Sequence, residues 1–216
     1  VGVVQVITKR GGVFIDQDEQ FLEAIGVHLG LALRRAAMVE AFLESQVVAR
    51  SLELARAIQQ GCLPRDAGAL HGRPEVDISA ALIPVYEVGG DLYDFFPLDE
   101  HHLCFIMGDV SGKGVPAALF MVMARTAFKL AASATPGGLG TALTQVNQFL
   151  YESKPQGMFV TALAGTLHLR TGRVEYADAG HEPPFIVRAS GAVEKVEKEG
   201  GMVLGILPGQ EYVSGS

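Results

Sequence analysis

Two short acidic turns hold the residues of this chain best suited to chemistry. They are Gly89-Gly90-Asp91-Leu92-Tyr93-Asp94 and Gly108-Asp109-Val110-Ser111-Gly112-Lys113-Gly114. Each follows a short apolar run, residues 80–88 before the first and 103–107 before the second, and each ends in carboxylate and glycine. Strands that terminate this way can bring two carboxylates to the same edge of a sheet. Clustered carboxylates in a partly buried site repel one another, so the pattern implies a cation or a raised pKa. Oxygen-only ligation completed by water suits hard Mg²⁺ or Mn²⁺ better than zinc.

The second turn is not a phosphate-binding loop. That loop needs four residues between its glycines and a Ser or Thr after its Lys, whereas here three residues separate Gly108 from Gly112 and Lys113 is followed by Gly114. A plain strand-to-helix connection, with Asp109 or Ser111 capping the helix, uses the same residue types and stays open on the turn alone.

Five blocks, read in order, narrow the choice: EVGGDLYDFF, GDVSGKGVPAALFMVMARTAF, FVTALAGTL, YADAGHEPPF and GMVLGI. At these separations, from about Leu52 to Ile206, the chain resembles the SpoIIE/RsbU branch of the PPM metal-dependent serine/threonine phosphatases. The resemblance implies an α+β fold, a PPM-like sandwich of two antiparallel sheets flanked by helices, with a two-metal centre at one end. It implies that Asp91 binds one Mn²⁺ or Mg²⁺, that Asp109 bridges both ions, and that the Val110 backbone carbonyl completes the set. Asp94 is either an outer ligand or a turn cap. The implied substrate is a phosphoserine or phosphothreonine protein of the anti-anti-sigma (STAS) type. A non-catalytic relay, with the metal-site sheet serving only for docking, is the alternative.

The elements that must position these residues follow from periodicity. Residues 2–8 read as a strand, Gly11-Gly12 as a turn, and the Asp16-Gln17-Asp18 cluster as the start of a long helix. Ile25, Leu29, Ala32, Ala36, Val39 and Leu43, at alternating intervals of four and three, form a heptad seam suited to a homodimer. The pattern continues less regularly through Val47, Leu54 and Ile58 until Pro64 ends it. Residues 1–34 resemble the end of a GAF sensor domain, 35–64 a coiled-coil-like linker helix, and 75–216 the phosphatase domain. In the resembled family the segment ELARAIQQGCLP passes signals from an upstream sensor.

A loop over 65–75 marks a candidate boundary. Beyond it, strands are expected over 76–82, 91–96 and 103–108, helices over 115–132 and 139–150 around a break at 135–138, and a hairpin of 158–170 with 173–179 across a two-residue Thr171-Gly172 loop. In the family the helices at this place link the metal site to regulation. His101 and His102 read as solvent-facing turn residues that lack a third zinc ligand. The Gly180-His181-Glu182-Pro183-Pro184 segment fails the zincin pattern, because its prolines break the helix that pattern needs. It leaves His181 as a candidate substrate-side contact.

Composition bounds the rest. The 216 residues are 49% hydrophobic and 19% charged, ordinary for a globular chain. A formal charge of −7 disfavours nucleic acid and offers no basic face to anionic lipid. Cys62 and Cys104, in unlike contexts, read as reduced thiols of a cytoplasmic protein. The longest helical apolar run is taken as 24–33, short of a bilayer span, so no membrane anchor or signal peptide is expected. The chain opens at Val1 without methionine and stops before the family's later TDG-x-x-E acidic block. These residues by themselves are therefore expected to bind metal weakly and to be nearly inactive.

Overall fold

A computed structural model describes residues 2–64, 73–134, 138–153, 157–197 and 200–216. Residues 65–72 of the loop expected over 65–75, and 135–137 of the break expected over 135–138, lie outside these residues. The chain divides into two compact units, one up to Ser51 and one from Leu52 onward.

In the first unit, residues 2–9 belong to no strand. A strand needs a ladder partner as well as alternation, and none pairs with them among the described residues. Helix α1, Asp16–Cys62, begins in this unit and continues past Ser51 into the second; it opens with Asp16, Asp18 and Glu19 in its first turn, where negative charge complements the helix dipole. Asp18 accepts a hydrogen bond from the Ile15 N–H at 2.9 Å and pairs with Lys9. Those two contacts, Lys9 first, hold its carboxyl below the usual range. Leu29, Val39 and Leu43 of the heptad seam stand exposed along the helix.

In the second unit, strands β1 (Leu92–Pro97), β2 (His102–Val110), β3 (Val160–His168) and β4 (Val174–Ala179) form one antiparallel sheet in that order. β5 (Phe185–Val187) and β6 (Val193–Lys195) form a separate hairpin. Helices α2 (Gly114–Ala134) and α3 (Gly138–Ser153) cover one face of the larger sheet, α2 over β1 and β2, α3 over β3 and β4. Alternation along the strands turns Leu92, Phe96, Cys104, Ile106, Ala162, Ala164, Ala177 and Ala179 toward these helices. The alanines of β3 and β4 let the helices approach closely, and Phe120, Met121, Phe128, Leu143 and Leu150 fill the space between. Burying aromatic and aliphatic side chains of this size contributes roughly 1.5–3 kcal/mol each.

Three expectations change. Residues 76–82 form no strand; Val76 and Ile78 pack in a small cluster with Leu103, Leu167 and Leu169 instead. The β3–β4 connection is longer than two residues: His168 N–H donates to the Arg173 carbonyl, and Gly172 N–H, at φ +70°, closes the turn on the His168 carbonyl. Finally, α2 is a longer apolar stretch than 24–33. It is 21 residues long, and an 18-residue stretch of it, with mean hydropathy 1.4, meets the length and composition of a membrane span. Ala117, Phe120, Met121, Ala124 and Phe128 are buried within this fold.

Candidate metal centre

The sheet register brings the two acidic turns together. Leu92 pairs with Gly108 across the antiparallel β1–β2 ladder, so one step further along the same register Asp91 faces Asp109. Both residues remain open to solvent at the sheet edge. The carboxyl of Asp109 is nevertheless held above the usual range, first by partial burial among the strand ends, then by the charge of Asp91 and a hydrogen bond with it. A nearby His181 works against this shift.

Glycines make the approach possible. A Cβ on Gly90 would lie 2.7 Å from the Val110 carbonyl oxygen and 3.2 Å from Asp109 Oδ1, so only glycine lets the first turn close on the second. Val110 N–H donates to the Gly90 carbonyl at 3.3 Å. Beyond Asp109, Ser111 anchors the turn to the start of β3: its N–H donates to the Phe159 carbonyl and its Oγ accepts from Phe159 N–H, both at 2.9 Å. Gly112 and Gly114, at φ +96° and +73°, then swing the chain into α2.

Two carboxylates of which one is already disposed to hold a proton, beside a backbone carbonyl, make an all-oxygen donor set that fits a hard divalent cation retaining several waters. Among the described residues no group of three or more His, Cys, Asp or Glu side chains is arranged to hold a metal ion. The candidate donors are the acidic pair and the Val110 carbonyl.

Asp94 is elsewhere. It points to the helix side of β1, is 1% exposed, and lies 2.7 Å from Arg125 Nη2 and 3.5 Å from Lys129 Nζ, both on α2. Strand alternation carries it away from the acidic edge, so it is neither outer ligand nor turn cap. His101 lies at the turn as expected, whereas His102 opens β2, where the β2–β3 register sets His168 opposite it, with ring centroids 4.9 Å apart.

Two residues beside the centre had no sequence signal of their own. Thr161 sits opposite Asp109 in the β2–β3 ladder, and its Oγ1 lies 3.0 Å from His181 Nδ1. Gln59, near the end of α1, bonds to the backbone of Gly89. Only the known register of β3 could have pointed to Thr161.

A family model described as Stage II sporulation protein E (SpoIIE) matches residues 99–216, more than half of the chain. The chain belongs to the SpoIIE family. Its kin are the SpoIIE/RsbU-type PPM phosphatases, and it has the α+β PPM-like fold. Among SpoIIE relatives, Protein IcfG of Synechocystis is 31% identical over 188 residues, 74% of this chain and 29% of that protein. The phosphoserine phosphatase RsbU of Bacillus subtilis is 28% identical over 169 residues, 77% of this chain and 48% of RsbU. The chain thus spans less than half the length of these relatives. The SiaA PP2C domain of Pseudomonas aeruginosa shares the fold, with a TM-score of 0.60 at 22% identity over 79% of this chain and 66% of that one.

Proposed function

We propose that this SpoIIE-family chain is the catalytic part of a metal-dependent protein serine/threonine phosphatase in a signalling pathway. The reading is carried by the convergence of Asp91 and Asp109. A non-catalytic relay has no need of two carboxylates pressed together at a sheet edge.

Asp91, Asp109 and the Val110 carbonyl would hold Mn²⁺ or Mg²⁺, two ions in all. When bound, such ions supply Lewis acidity toward phosphoryl oxygens and lower the pKa of water toward about 7. Asp109, on the rigid end of β2, sets the location of the cation site, and Asp91, on a glycine loop, closes it. His181, held by Thr161, stands on the substrate side and contacts the phosphoryl group. Gly112 and Gly114 couple the second acidic turn to α2, so movement of α2 shifts Asp109.

The substrate is a phosphoserine or phosphothreonine protein of the anti-anti-sigma type, with phosphatase output set by an upstream sensor. Residues 1–34 are the end of that GAF-like sensor, 35–64 the linker helix, and 75–216 the phosphatase domain. The exposed Leu29, Val39 and Leu43 support a homodimer through the linker seam, and the two free cysteines support a cytoplasmic location.

The direct test is phosphate release from a phosphorylated anti-anti-sigma protein by the intact gene product with Mn²⁺. Activity that requires Mn²⁺ and disappears in Asp109→Asn supports the reading. An active Asp109→Asn protein removes Asp109 from the mechanism.

A further inference from the structure

A glutamine inside a helix contact stripe is costly unless both ends of its amide find partners. Near the end of α1 the residues turned away from solvent are Leu52, Ala55, Gln59 and Cys62, spaced three, four and three along one helix face. Gln59 is 4% exposed and is the one buried residue of the helix. Its Nε2 donates to the Gly89 carbonyl at 2.6 Å, and the Gly89 N–H donates to its Oε1 at 3.2 Å. The side chain thus pairs with Gly89 as one strand pairs with another, donor to acceptor and acceptor to donor, which fixes both the position and the tilt of that backbone unit.

The grip falls where the chain would otherwise be loosest. Gly89 and Gly90 are consecutive glycines, the residues that lose most freedom on ordering. Gly90 in turn lies against the Val110 carbonyl and Asp109 Oδ1, and Asp91 follows it directly. Tyr93 adds a second tie to the same region, its hydroxyl donating to the Pro64 carbonyl at 3.2 Å just past the helix end. Val88, 2% exposed, anchors the loop from the other side.

We propose that Gln59 is a positioning residue for the acidic pair. Its amide clamps the Gly89-Gly90 loop in the setting that puts Asp91 opposite Asp109, so the end of α1 controls divalent-cation binding. A rotation of that helix end withdraws both hydrogen bonds together, releases Asp91, and leaves Asp109 on its strand. The purpose of the cation rests on the phosphatase reading; the clamp itself does not.

Hydrogen–deuterium exchange on the full metal-free chain tests the clamp, with Gln59→Ala and Gln59→Glu. The glutamate keeps the size and one acceptor but sets a second acceptor against the Gly89 carbonyl. Exchange at Gly89 to Asp91 should accelerate about tenfold or more in both variants while β2 amides at 103–110 keep their rate. Mn²⁺ titration of the same proteins should show binding weakened about tenfold or more. Unchanged exchange at Gly89 to Asp91 overturns the clamp. Acceleration across β2 as well reduces Gln59 to a general packing role and overturns it too. Faster loop exchange with unchanged Mn²⁺ affinity, or wild-type chain that takes up no Mn²⁺, overturns the control of cation binding. The phosphatase reading fails separately, if the intact gene product binds Mn²⁺ but releases no phosphate from the phosphorylated protein.

Discussion

Asp94 in β1 and Arg125 in α2 form an ion pair of 2.7 Å whose carboxylate side chain is fully buried. The pair bolts the helix that follows the Asp109 turn to the strand that follows Asp91. Lys129, 3.5 Å from the same oxygen, is 43% exposed and adds less.

Removing one member of a buried pair strands the other charge. Asp94→Ala should therefore destabilise the chain by about 3 kcal/mol. Asp94→Leu combined with Arg125→Met should recover most of that loss, because both charges leave together. Urea titration followed by circular dichroism reads both; a loss below about 1 kcal/mol for Asp94→Ala would show the pair to be unimportant.

Neutralising Asp109 should separate function from stability. Asp109→Asn is expected to lower phosphatase kcat/KM about a hundredfold or more, while metal-free thermal stability holds or rises because the repulsion with Asp91 is gone. A variant that instead melts early would assign Asp109 a structural role.

Gly90→Ala probes the closure of the two turns. The new methyl meets the Val110 carbonyl at 2.7 Å, backbone that cannot move aside without shifting β2. Overpacking of this kind costs about 1–3 kcal/mol, and Mn²⁺ binding measured by calorimetry should weaken with it. Full metal affinity in this variant would mean that the turns need not touch.

Cys104 supplies a pH signature. Burial first, and the charge of Asp94 second, push its thiol from near 9 up to about 12. A folded pKa above the unfolded one means that the unfolded chain loses its proton first as pH rises. This part of the stability is therefore complete below about pH 9 and is lost progressively between about pH 9 and 12. At pH 8 a thiol reagent should modify half-buried Cys62 and spare buried Cys104 until the protein unfolds. Rapid native labelling of both thiols would contradict this.

The heptad seam predicts association. Sedimentation of residues 20–64 should show a concentration-dependent dimer, abolished by Leu29→Asn with Val39→Asn, since polar residues at core seam positions weaken coiled coils. A monomer at high concentration would discredit the seam.

Much of the site could be read from order and residue type. The two Gly-Asp turns located the start of β1 and the end of β2, although the apolar run before the first turn forms no strand, and Ala, Leu and Met at helical spacing located α2 and α3, because these signals are local. The run over 76–82 misled for the same reason: alternation describes a surface fit for pairing, and 76–82 pairs with no strand among the described residues. Asp94 misled because its neighbours in sequence are turn residues, whereas its partners lie on α2, more than 30 positions away.

The sequence by itself determined that Asp91 and Asp109 each sit beside glycine at a strand end, since backbone freedom, turn chemistry and apolar periodicity act over a few residues. Tertiary structure decided that they face each other, that Thr161 and His181 stand beside them, and that Gln59 grips Gly89. Those outcomes depend on ladder register and helix docking, where a shift of one residue turns a side chain to the opposite face of the sheet.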